Sequence, residues 1–330
     1  MAILVTGGAG YIGSHTARLL RRHGYDVVVL DTLELGHREA VGDVPIVVGN
    51  IADRRLVAET VRSYGIDAVV HFAAYKAAGE SMAVPGRYFS NNVGGSAALF
   101  DALYEAGVGR LVFSSTCAVY GTPEALPVDE RQPLRPESPY GESKAMVERM
   151  LHWYDVCHGL RSVSLRYFNA AGAAPDGSAG EDWTLTANLV PVAMKALLGR
   201  IPELKVFGTD YPTPDGTAVR DYIHVDDLAD AHLRALAYLD GGGPSDVFNL
   251  GTGTGSTVRQ VIAAAGKAAG RPVPFVDASR RGGDPVALYA DNAKAHEVLG
   301  WSPRYDLMGT VASAWAWHSA HPDGYAPPSG

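Results

Sequence analysis

The chain has little cysteine: Cys117 and Cys157 are its two thiols in 330 residues. Two thiols cannot build a disulfide framework, and neither stands at metal-ligand spacing from the eleven histidines. Both are expected to be ordinary buried thiols, and no metal is expected. No apolar run approaches the roughly 20 residues of a membrane-spanning helix. The opening Met1-Ala2-Ile3-Leu4-Val5-Thr6-Gly7 lacks a basic stretch ahead of its apolar run, unlike a signal peptide. A cytoplasmic protein that does not engage membranes is the expectation. Excess positive charge is missing too: 28 basic residues face 36 acidic ones, a formal charge of −8. No long basic run tracks a phosphodiester backbone, which argues against nucleic acid as a partner. A phosphorylated small molecule stays open, because a few cations and backbone amides suffice to hold one.

What is present is ample core material, in a chain longer than a usual single domain, so one large domain and a smaller one are expected. Strand and helix signals alternate through the first half: strands at 3–6, 27–30, 46–48, 68–71, 111–114 and 163–167, and helices at 12–23, after Asp53, at 92–106 and from Ser138. Alternation of this kind predicts an α/β fold, a doubly wound parallel sheet covered by helices on both faces. The Ala-, Gly- and Pro-rich stretch 170–180 marks a boundary. Residues 1–172 form the first domain, with 219–251 returning to its sheet, and 173–330 form a smaller, discontinuous α/β domain whose stretch 279–291 faces the cleft. Residues 322–330 read as a loose tail.

Tyr140-Gly141-Glu142-Ser143-Lys144 sets a phenol and an ammonium one helical turn apart. Ser138 can cap that helix, and Pro139 suits its first position. A cation about 4 Å from the phenol, at an effective dielectric of about 20, favours phenolate by roughly 4 kcal/mol, about three pKa units. The pair is therefore a candidate acid/base couple for neutral pH. Gly7-Gly8-Ala9-Gly10-Tyr11-Ile12-Gly13 follows a strand and opens a helix, so its amides can approach a pyrophosphate. Asp31 ends the next strand, where a carboxylate accepts from the adenosine ribose and repels a 2′-phosphate. NAD is thus favoured over NADP, although His37 and Arg38 stand nearby.

Gly7, Gly10 and Gly13, with Tyr140/Lys144 and the upstream Ser114-Ser115-Thr116, resemble the extended short-chain dehydrogenase/reductases that act on nucleotide sugars. Asp-Tyr-Pro-Thr-Pro-Asp-Gly-Thr at 210–217 and Val-Arg-Asp-Tyr-Ile-His-Val at 219–225 are more specific, and with them the chain resembles the UDP-glucose (UDP-galactose) 4-epimerase branch. The resemblance implies a Rossmann-type fold, a tightly bound NAD, a UDP-sugar substrate and a homodimer formed through helices including 92–106 and 138–158. It implies that Tyr140 is the general base/acid, that Lys144 holds nicotinamide ribose hydroxyls and lowers the phenol pKa, and that Thr116 lies beside the sugar O4. It places Tyr11, Ile12, Asn50, Ile51, Phe72, Ala73, Lys76, Asn91 and Tyr167 near NAD; Asn50 departs from the family's usual Asp. For the nucleotide sugar it suggests Asn169, Asn188, Leu189, Val206, Phe207, Arg220, Tyr222, Arg281, Asp284 and Leu288.

The reaction so implied is reversible C4 inversion through a 4-keto sugar. Dehydratases and decarboxylases of this fold carry an acid in the two places after the hydroxyl residue, which here are Cys117 and Ala118, so elimination ranks below epimerisation. UDP-N-acetylglucosamine and UDP-xylose stay open as substrates, since Leu288 stands where Tyr or Cys is frequent. A non-catalytic NAD-binding protein is the remaining alternative.

Overall fold

The computed structural model describes residues 1–183, 186–281 and 285–325. The first half runs β1 (Ala2–Thr6), α1 (Tyr11–Arg22), β2 (Asp26–Asp31), β3 (Ile46–Val48), α2 (Arg54–Tyr64), β4 (Ile66–His71), the short α3 (Ala78–Ala83) and α4 (Pro85–Tyr88), α5 (Gly95–Glu105), β5 (Arg110–Ser114), α6 (Pro139–His158) and β6 (Arg161–Tyr167). After these come β7 (Asn169–Ala171), α7 (Leu189–Leu197), β8 (Leu204–Phe207), β9 (Val219–Arg220), β10 (Tyr222–His224), α8 (Val225–Asp240) and β11 (Asp246–Leu250). The chain then adds β12 (Ser256–Thr257), α9 (Val258–Ala269), β13 (Phe275–Ala278), β14 (Ala287–Leu288), α10 (Ala293–Leu299) and α11 (Leu307–Ala320).

Seven strands join in the order β3-β2-β1-β4-β5-β6-β11, every pair parallel. This is the doubly wound sheet that the alternation predicts, but of the segment 219–251 expected to return to it only β11 joins: β9 pairs with β12 and β14, and β10 with β7, in separate small sheets. Side chains leave a strand on alternate faces, and both faces are dry. Ile3, Val5, Val27, Val29 and Val70 meet Ala17 and Leu20 of α1 and Leu228 and Leu236 of α8. Leu4, Val28, Leu30 and Val69 instead meet Val57 of α2, Leu99 and Phe100 of α5, and Val147 and Leu151 of α6. Strand order reverses between β1 and β4, which opens a crevice at the carboxyl ends of the strands. A separate core of Val190, Met194, Val206, Val261, Ala265 and Val311 is built by α7, α9, α11 and β8.

Three local expectations change. A π-helical turn at Phe89–Gly94 precedes α5, and Asn92 turns inward to accept from Tyr75 N at 2.9 Å and donate to Ser143 Oγ at 3.0 Å. Cys117 is half-buried but Cys157 is exposed, because α6 turns its 153, 156 and 157 positions outward. The expected loose tail is anchored at Tyr325, whose hydroxyl donates to Gly180 O at 2.9 Å and accepts from Gly180 N at 3.1 Å. Residues 326–330 and the candidate Asp284 lie outside the described residues. Among the described residues no helix is long and apolar enough to cross a membrane.

Candidate active site

The crevice holds a cavity of about 400 Å³. Its lining includes Gly7, Gly10, Tyr11, Ile12, Gly13, Asp31, Asn50, Ile51, Phe72, Ala73, Lys76, Asn91, Tyr140, Lys144 and Tyr167, so the whole set expected around a dinucleotide meets in one space. Helix α1 begins at Tyr11, with Gly10 in the cap position and no side-chain cap, which leaves its first amides available to an anion. A Cβ at Gly13 would stand 2.4 Å from Gly7 O, so only glycine lets helix and loop pack this closely. Asp31 is fixed by Ala9 N at 2.9 Å and Leu33 N at 2.9 Å. A held carboxylate here suits a ribose diol and opposes a 2′-phosphate. The residues present fit an NAD.

Ser138 caps α6 by accepting from Gly141 N at 3.1 Å, and Pro139 occupies the first turn. This fixes the start of the helix so that Tyr140 and Lys144 share its inner face, 9% and 4% exposed. The Thr116 side chain acts on the Tyr140 phenol in the direction that favours phenolate, but burial is the larger effect and raises the phenol above its ordinary value. Here the structure corrects the expected electrostatics. Lys144 Nζ donates to Ser114 O at 2.9 Å and lies 4.7 Å from the Phe113 ring centroid. Burial pulls the ammonium down to about 7, against a smaller opposing effect of Glu148. A cation that is itself desolvated and turned toward β5 does not produce the three-unit drop expected from two charges about 4 Å apart.

Thr116 leads from the cofactor cavity to a second group of candidates. It caps a short 3-10 turn, with Oγ1 accepting from Ala118 N at 3.2 Å. The next residue, Cys117, is close enough to Arg220 to feel its charge, yet burial dominates and pushes the thiol up to about 12. Arg220 on β9 is in register with Leu288 on β14. It also acts on Tyr222, whose phenol burial raises. Asp221, between them, accepts from Thr252 N at 2.8 Å and Ala290 N at 3.1 Å, pinning both neighbouring loops. Asn169 Nδ2 donates to the same residue's carbonyl at 3.0 Å.

Further along, Arg281 lies over Phe207 at 3.8 Å, a cation paired with a flat apolar face. Val206 is wholly buried in the second core, so its side chain is packing and only its backbone is left for a ligand. Asn188 and Leu189 start α7. Asn188 Nδ2 is 3.4 Å from Glu181 Oε1, and Lys76 Nζ is 3.8 Å from the same oxygen.

Sequence reasoning missed Glu181, Asp182, Thr186 and Tyr325, all of which line the cavity. His37, read only as a nearby cation, is bound at Nε2 to Asp182 Oδ2 at 2.6 Å. The local signal was slight: an acidic pair after a glycine-rich stretch, and one tyrosine in a polar tail.

Fold, cradle and buried Tyr/Lys couple together define a Rossmann-type, dinucleotide-dependent enzyme. Residues 3–251 match the NAD dependent epimerase/dehydratase family, and the chain belongs to that family. It is 50% identical to a UDP-glucose 4-epimerase of Streptococcus mutans, over 98% of this chain and 99% of the relative. Among solved structures it resembles UDP-glucose 4-epimerase from Brucella ovis in complex with NAD, with TM-score 0.94, 47% identity and coverage of 96% and 97% of the two chains. It also resembles the Bifidobacterium longum enzyme in complex with NAD+ and UDP, with TM-score 0.93, 40% identity and coverage of 98% and 100%.

Proposed function

We propose that this chain interconverts UDP-glucose and UDP-galactose by inverting C4 through transient oxidation, with a tightly held NAD. The observation that carries this reading is the junction at Thr116. Its side chain acts on the buried Tyr140 phenol on the cofactor side, and the next residue feels the charge of Arg220, which shares its strand register with Leu288, on the other. In this reading residues 1–172, with 219–251 returning, form the NAD-binding domain and 173–330 the nucleotide-sugar domain, with Arg220 serving the substrate and Gly180, Glu181, Asp182 and Tyr325 also lining the cofactor cavity.

Bound NAD supplies a reversible hydride acceptor and a cationic ring whose charge favours a neighbouring phenolate. Tyr140, assisted by the Thr116 side chain, takes the O4 proton as C4 is oxidised and returns it to O4 when C4 is reduced from the opposite face. Lys144 holds ribose hydroxyls and the Ser114 carbonyl. Arg220 and Arg281 neutralise the diphosphate, Asn169, Asn188, Leu189 and the backbone at 206–207 hold the nucleotide, and Phe207 offers a face to the uracil. Strong contacts remote from the sugar keep the 4-keto intermediate bound while it turns over.

Elimination needs a second acid/base group beside Thr116. Cys117, pushed up to about 12, is a neutral thiol at physiological pH, and Ala118 has no proton to give. Epimerisation is therefore favoured over dehydration or decarboxylation. A homodimer through α5 and α6 is supported by Met146, Trp153 and Val156 of α6 and Tyr104 of α5, all exposed apolar side chains. The two thiols, both free, suit a reducing compartment such as the cytoplasm. A coupled assay for UDP-glucose formed from UDP-galactose, without added NAD, tests the reading; conversion supports it and its absence refutes it.

A further inference from the structure

We propose that Tyr325 is a positioning residue for cofactor retention, closing the Asp31 end of the cavity by tying residues 180–182 and His37 into one wall. This rests on the NAD reading above.

Three segments remote in sequence meet there. The Tyr325 hydroxyl engages both backbone groups of Gly180, at 2.9 and 3.1 Å. Its ring stacks on His37 at 4.8 Å with the planes 21° apart. His37 is in turn bound to Asp182 Oδ2 at 2.6 Å, and its backbone N donates to Ala9 O at 2.9 Å, inside the glycine loop. Ala9 N donates to Asp31. The tail is thus linked, contact by contact, to the loop and carboxylate that would hold the dinucleotide. His37, Gly180, Asp182 and Tyr325 all line the cavity.

The wall is also backed. A Cβ on Gly180 would lie 2.3 Å from the Trp317 indole of α11, and Trp317 Nε1 donates to Glu181 O at 3.2 Å. Residues 180–181 are held between the indole and Tyr325, with no room to withdraw toward α11. Strands β1, β4 and β5 follow β2 in the sheet, so the Asp31 end is separated from the Ser114 end by about three strand spacings, roughly 14 Å. Tyr325 therefore acts on retention of the cofactor and not on the reacting atoms.

The test uses the full-length enzyme as purified. Bound NAD is exchanged against excess fluorescent ethenoadenine NAD, and the release rate is compared for wild type, Tyr325→Phe and Tyr325→Ala, alongside thermal unfolding of the NAD-free proteins. Release is expected to accelerate about tenfold or more in Tyr325→Ala, the equivalent of about 1.4 kcal/mol. Tyr325→Phe, which keeps the stack and loses the two hydrogen bonds, is expected to fall between. Activity of the alanine variant is expected to fade on dilution and return when NAD is added. Release at the wild-type rate in both folded variants overturns the proposal, and so does a fall confined to NAD-free stability. If Tyr325→Ala does not fold, the phenylalanine variant decides by the same criterion. Wild type that holds no NAD overturns the underlying reading instead.

Discussion

Lys144 donates from Nζ to the Ser114 carbonyl across 2.9 Å, so its amino group ties α6, the helix that carries Tyr140, to the end of β5. Loss of the side chain removes that tie. Lys144→Ala is expected to cut turnover of UDP-galactose by about 10² to 10⁴, the usual range for disabling acid/base catalysis. Thr116→Val, which removes the side-chain oxygen that favours the phenolate, is expected to cost about tenfold, and Thr116→Ser to recover most of it. Steady-state rates at saturating substrate check both; a valine variant as active as wild type removes Thr116 from the mechanism.

Acid stability follows from four buried imidazoles. Burial holds His71 down at about 3 and His224, His232 and His318 down at about 4. In the unfolded chain each titrates near 6.5, so below that pH the unfolded state binds more protons. Their stabilising contribution is complete above about pH 6.5 and is lost as the pH falls toward about 4. Urea midpoints are therefore expected to drop steeply between pH 7 and pH 5, above the carboxylate range. A flat profile there contradicts the burial of these rings.

Leu288 packs against the buried cluster that includes Val119, Tyr120, Val128, Phe168 and Ala290, and sits opposite Arg220 in the β14–β9 pair. We propose that a side chain smaller than tyrosine at this position admits an N-acetyl group. Wild type is expected to turn over some UDP-N-acetylglucosamine, and Leu288→Tyr to lose that activity while keeping UDP-galactose. Equal rates on the acetylated sugar in both proteins dispose of the idea.

Trp153 and Val156 are 58% and 63% exposed on one helix, an apolar surface that a second copy would cover. Light scattering on the wild type is expected to give twice the monomer mass, and Trp153→Glu to shift it toward the monomer. A wild type that is monomeric at micromolar concentration rules out this interface.

Where the sequence carried local signals, it was read correctly: the Ser138 cap, the glycine loop after β1, a helix after Asp53, which the structure shows capping α2 through Leu56 N, and the alternating strands each depend on neighbours within a few residues. The Tyr140/Lys144 face was legible for the same reason. The direction of the ammonium was not, because it depends on a carbonyl of β5, thirty residues earlier, and on how much water the fold excludes. Tyr325 was read as tail because its partners, Gly180, His37 and Trp317, are brought to it only by the tertiary fold. Val206 looked like a ligand contact by resemblance, but strand alternation turns its side chain into the second core.

The central claim is that Tyr140 moves a proton at O4 while NAD stays bound. Wild type and Tyr140→Phe, both purified without added cofactor, are incubated with UDP-galactose, and UDP-glucose formation and bound NAD are measured on the same samples. Wild type is expected to reach an equilibrium mixture of the two sugars, and Tyr140→Phe to form essentially no UDP-glucose with its NAD content unchanged. Substantial conversion by the phenylalanine variant, or none by the wild type, contradicts the account.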